Sequence, residues 1–261
     1  MAHHTNKSSA LNLGVMVFAA LAVMTVAEYF IAVGLQPDGA ATIVLLAIVA
    51  LIKAGLVLYY FMHISKLGEA DHDLDRHGYE YKTRTNRIGF WLFLLSDSFV
   101  FGGLAVARFN LLGLQRPDLE NQLLGLAVTA VLLISSFSMN RAETLMAHGD
   151  RKGFITFTSI TLALGVAFLL GVVGVEWQTV HFGPADGVQG AVFYMMTGMH
   201  AFHVLTGVIF LAIVLRNGIK GVYTQEKHFA VEAAAVYWHF VDLVWIFFYP
   251  ALYLIGTMVS G

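Results

Sequence analysis

The chain has 261 residues, 58% of them hydrophobic and only 12% charged, with a mean hydropathy of +0.72. Soluble domains carry about 25% charged residues, so half the usual polar covering is missing and a bilayer is the expected solvent. A net charge of −2 gives no basic surface for nucleic acid. The absence of cysteine excludes disulfides, thiolate metal sites, iron–sulfur clusters and a cysteine nucleophile.

A transmembrane helix needs about 20 mostly apolar residues. Seven segments have that length: 11–35, 41–62, 88–109, 121–140, 154–175, 191–215 and 233–258. Runs such as ATIVLLAIVALI lack the strict alternation of barrel strands, so the spans are expected to be helices. The first follows MAHHTNKSSA and is too long for a signal-peptide core, which predicts a retained span. Twelve lysines and arginines fall in the N-terminal tail and the second, fourth and sixth loops, against Arg108 and Arg116 on the other side. By the positive-inside rule this places the N-terminus in the cytoplasm and the C-terminus outside.

Charged side chains in a bilayer are expensive, so each one in a span is a functional candidate. The first two spans form a hairpin, residues 1–64, carrying Glu28 and Lys53. They lie 7 and 12 residues from the turn, a depth mismatch of roughly 7–8 Å at 1.5 Å per residue. Flexible stems could join them, Lys53 could snorkel toward the cytoplasm, or each could face a polar groove or a partner subunit. Residues 65–87 mix five acids with five bases and read as a charged cytoplasmic linker. Residues 88–261 form a five-helix block.

Asp97, between Ser96 and Ser98, sits near the middle of the third span. At that depth it is either neutral and hydrogen-bonded or paired with a cation or histidine, serving proton handling, lipid contact or helix adhesion. Glu176 ends the fifth span. His200 and His203 share one face of the sixth, as do His239 and Asp242 on the seventh, each pair being spaced i,i+3. A metal or bis-histidine haem site would have to fit among Met195, Met196, Phe202, Trp238 and Phe240, which crowd these positions. No metal ligation is therefore expected. The preferred reading is an interhelical network in which His239 and Asp242 bond the imidazoles of the sixth span. Glycines within the spans are read as points of close helix approach.

GFWLFLLSDSFVFGG (89–103), AHGDRKG (147–153), FLLGVVGVEW (168–177), FYMMTGMHAFHVLTG (193–207) and YWHFVDLVWIF (237–247) together resemble subunit III of the haem–copper respiratory oxidases. KAGLVLYYFMHISKL (53–67) resembles the second helix of the small bacterial oxidase subunit IV, suggesting a hairpin fused to the five-helix core. The resemblance implies a subunit without haem or copper of its own, packed on a catalytic subunit I that holds them, near subunit II. It implies a lipid-enclosing V-shaped cleft and support for proton uptake and durability in turnover. A cytochrome or quinol-oxidising supercomplex partner is compatible with it. Glu176, His200, His203, His239 and Asp242 match family positions. Asp97 stands where many cytochrome c oxidases have glutamate, a departure that resembles quinol-oxidising members. An accessory protein of a nitric oxide reductase stays open as an alternative. A freestanding proton-coupled transporter does too, but the repeats and broken helices that would mark one are not visible in the sequence.

Overall fold

Apolar runs of this length satisfy their backbone polar groups internally only as helices when lipid surrounds them. A computed structural model describes residues 7–35, 39–62, 78–117 and 122–258. Among them are seven helices long and apolar enough to cross a membrane. The protein is an all-α integral membrane protein. Helix α1 spans Lys7–Gly34 and α2 Ala40–Leu56, the latter extended by a π-helical turn, Val57–Phe61. Helices α3 (Tyr79–Leu112) and α4 (Gln122–Ala147) follow. Helix α5 (Arg151–Leu169) continues through a π-helical turn, Leu170–Glu176, and a last turn, Trp177–Thr179. Helix α6 is Gly187–Ile219, and α7, Phe229–Tyr249, ends in a third π-helical turn, Pro250–Leu254.

The third helix begins nine residues before the expected span, within the stretch read as linker; residues 63–77, including the rest of that stretch and His63, lie outside the described residues. Thirty-four helical residues measure about 51 Å, longer than the roughly 30 Å hydrocarbon layer. The polar first turns are held to the start of α7. Arg87 donates to both carboxylate oxygens of Glu232, at 3.1 and 3.0 Å, and the Phe229 N–H donates to Tyr79 Oη.

Helix α7 is the axis of the bundle. Over an apolar stretch of 18 residues in each, α7 is 89% buried against 11% for α3. It touches α3, α4, α6 and the hairpin, while α5 packs on α4 and α6. Small residues set the spacing. A Cβ at Gly165 would lie 2.5 Å from the Trp238 ring, and one at Gly14 would lie 2.6 Å from Asn140 Oδ1. The hairpin therefore packs on its own block, with α1 along α4 and α2 against α7.

At the end where α1 begins, Lys7 pairs with Asp150 at 2.9 Å and Asp150 accepts the Gly153 N–H, capping α5. Arg151 donates to the Gly218 carbonyl at 2.9 Å and to that of Ile219, closing the end of α6. At the opposite end, strands β1 (Gln115–Arg116) and β2 (Thr257–Met258) form a two-residue parallel pair.

Candidate functional site: the buried polar clusters

The described intramembrane ionisable residues are each positioned by helix contacts. Glu28 and Lys53 meet directly: Lys53 Nζ lies 2.5 Å from Glu28 Oε2, and both side chains are almost wholly buried. The lysine stem spans the depth mismatch. This pair faces the bundle, because Lys53 and Thr25 line one small cavity with Thr129 of α4 and with Asp242, Trp245 and Tyr249 of α7.

Asp97 meets His203 between α3 and α6, with His203 Nε2 hydrogen-bonded to Asp97 Oδ1 at 3.4 Å and 3.1 Å from Oδ2. His203 Nδ1 is 2.8 Å from the Met199 carbonyl, which only accepts, so Nδ1 carries a proton. A hydrogen bond between Nε2 and the carboxyl then requires one further proton, held between these two groups. The Phe101 ring packs on this imidazole, and Tyr237 hydrogen-bonds Thr206 at 2.6 Å one turn along α6.

His239 and Asp242 do not bond the imidazoles of α6, which corrects the expected network. His239 Nδ1 lies 2.6 Å from Ser136 Oγ on α4, and Ser136 also bonds Asp242. His200 Nε2 instead donates to the Val241 carbonyl at 3.0 Å, with its ring against Phe168 and Trp245. The geometry of α7 explains the difference. Val241 sits on the side facing α6, whereas positions 239 and 242 turn toward α4 and the hairpin. The two α7 tryptophans are also anchored on α4, Trp238 donating to Ser135 Oγ at 3.0 Å and Trp245 to Thr129 Oγ1 at 2.9 Å.

Glu176, in the π-helical turn of α5, accepts from Tyr253 Oη at 2.6 Å. Arg108, near the end of α3, is fully buried. Its guanidinium donates to the carbonyls of Ala251 (2.7 Å), Gly113 (2.7 Å) and Ile255 (3.0 Å). Arg116 adds a bond to the Tyr253 carbonyl. The π-helical end of α7 leaves carbonyls that the helix cannot satisfy, and the planar five-donor fork of arginine suits several at once.

Among the described residues no group of three or more histidine and acidic side chains is arranged to hold a metal ion. The arrangement ties neighbouring helices together through side-chain hydrogen bonds.

Seven long apolar helices, with His200, His203 and His239 each hydrogen-bonded within or between them, make a polytopic membrane bundle. The family model for cytochrome c oxidase subunit III matches residues 2–257, and the chain belongs to that family. Its curated relatives include cytochrome c oxidase subunit 3 of Sus scrofa, 38% identical over 183 residues that cover 66% of this chain and 70% of that protein. The proteins of that name from Oncorhynchus mykiss and Felis catus are each 37% identical over the same shares of both chains. The family match takes in the hairpin as well as the five-helix block.

Proposed function

We propose that the chain is a non-redox accessory subunit of a proton-pumping haem–copper oxygen reductase in aerobic respiratory electron transport. In this role it supports assembly, lipid binding, proton uptake and endurance of the catalytic subunit. Beside the family membership, one observation supports the reading: His200, His203 and His239 each make a hydrogen bond within the protein. His200 serves a backbone carbonyl, His203 serves Asp97 and Met199, and His239 serves Ser136. Haem and copper then belong to catalytic subunit I, with subunit II as a further neighbour.

Lipid contact is supported by an apolar groove of about 450 Å³ between α5 and α6, lined by Leu169, Val173, Trp177, Gly198 and Phe202. The charge asymmetry of the loops supports an N-terminus in the cytoplasm, and the likeness of residues 53–67 to a bacterial oxidase subunit supports a bacterial-type cell membrane. On this reading the subunit-IV likeness of residues 53–67 marks the hairpin as a fused companion, residues 1–64, standing where the family has its first two helices.

Cells lacking the chain test the proposal. They should assemble a haem-containing oxygen reductase in reduced amount, and its activity should decay faster during turnover than that of the wild type. Unchanged oxygen reduction together with a loss of nitric oxide reduction would overturn it.

A further inference from the structure

We propose that the seam between the hairpin and the bundle is a proton-binding site, in which Glu28, Lys53 and Asp242 together hold one proton beyond the lysine ammonium.

The charge count carries the argument. Two carboxyls and one ammonium converge from α1, α2 and α7, and their residues are 0%, 4% and 1% exposed for Glu28, Asp242 and Lys53. With all three charged, the seam would hold an uncompensated negative charge in the hydrocarbon layer, where isolated charge is strongly disfavoured. The other titratable groups facing it are Tyr29 of α1, His239 and Tyr249 of α7, and Tyr253, which is engaged with Glu176 of α5. Helix α4 contributes the hydroxyls of Thr129 and Ser136. None of these is a fixed cation. The cheapest compensation is a proton on a carboxyl oxygen.

The polar atoms are disposed for it. Glu28 Oε1, Asp242 Oδ2 and Tyr249 Oη have no hydrogen-bond partner among the described residues. Asp242 and Tyr249 line the small cavity beside Lys53, whose water-accessible space is about 10 Å³, roughly the volume one water centre needs. His239, Ser136 and Asp242 continue the line of polar groups toward the end of the bundle where α1 begins. There the Phe61 side chain, stacked 5.0 Å from the His239 ring, also lines a larger cavity of about 250 Å³ with Ser9, Tyr60, Asn140 and Thr144. The proton comes from hydronium in the water on that side: one hydronium O–H bond breaks, the carboxyl O–H forms, and a neutral water is released.

Infrared spectroscopy of the purified native assembly reads the site through the C=O stretch of protonated carboxyls, identified by its shift in heavy water. Removing either carboxyl balances the lysine, so Glu28→Gln and Asp242→Asn should each lose the same single carboxyl equivalent. Lys53→Met should gain one, because both carboxyls must then be neutral. Glu28→Gln and Asp242→Asn carry the same expectation independently, so one of them suffices if the other does not assemble. Wild-type intensity in either carboxyl variant, or an unchanged signal in Lys53→Met, would overturn the proposal.

Discussion

Arg87 on α3 grips Glu232 in the first turn of α7 through two parallel hydrogen bonds, with only 22% and 11% of the respective side chains exposed. The bond joins the least buried helix to the most buried one. The carboxylate also sits at a helix N-terminus, where negative charge is favoured. Replacing Arg87 by Lys keeps the charge but loses the bidentate fork. The expected result is faster hydrogen exchange over residues 79–87 with unchanged protection in the middle of α7. Equal protection in the variant would show that the fork does not hold the extension.

Lys53 and Glu28 respond unequally to substitution. Breaking a buried pair by removing one partner costs about 3–5 kcal/mol, and Lys53→Met leaves two carboxyls without a cation. Glu28→Gln leaves Lys53 with Asp242 across the same cavity, so its cost should be well below that of Lys53→Met. Thermal denaturation of the two variants measures the difference, and equal losses would contradict the role given to Asp242.

Arg108 satisfies three carbonyls where α3 ends and α7 unwinds. Arg108→Met should expose or orphan them, at about 1–3 kcal/mol for each buried group left unpaired. Loss of amide protection confined to residues 250–258, with a lowered Tm, is the expected signature.

Asp150 gives a pH dependence outside the membrane spans. The Gly153 N–H and then Lys7 hold its carboxyl below the usual carboxylate range. A depressed folded-state value means the stabilisation is fully present above the ordinary value of 3.8 and is lost as pH falls through the folded value. The effect is small because the pair is solvent-screened. Loosening of the α1 N-terminus should begin only below about pH 4, and Asp150→Ala should remove that acid transition while costing about 1 kcal/mol as a lost N-cap.

Asp97→Asn should assemble normally yet shorten the working life of the oxidase in turnover, because the amide keeps the shape but not the proton shared with His203. Normal assembly and an unchanged decay of activity would reduce Asp97 to a helix contact.

The seven spans were legible because apolar length and the lysine and arginine distribution are properties of the chain alone. The partners of His239 and Asp242 were not. A helix buried on nearly every side, as α7 is, shows no polar face to indicate which neighbour each position meets. Ser135 and Ser136 gave no signal either, since serines in spans commonly bond their own helix, as Ser135 does with the Leu132 carbonyl. Asp97 was legible as a residue needing a partner, but that His203 supplies it depends on how α3 lies against α6. The start of α3 at Tyr79 was hidden because the mixed charges of residues 79–87 read as a solvated loop until Glu232, 145 positions away from Arg87, is brought beside them.

The most direct test of the non-redox reading is a reduced-minus-oxidised haem spectrum of the complex purified from the native membrane in mild detergent, taken before and after this chain is stripped away. The account predicts that the chain purifies with a haem–copper catalytic subunit and that all haem stays with that subunit after stripping. A stripped chain that keeps its own stoichiometric haem would contradict it and return His200, His203 and His239 to the role of ligands.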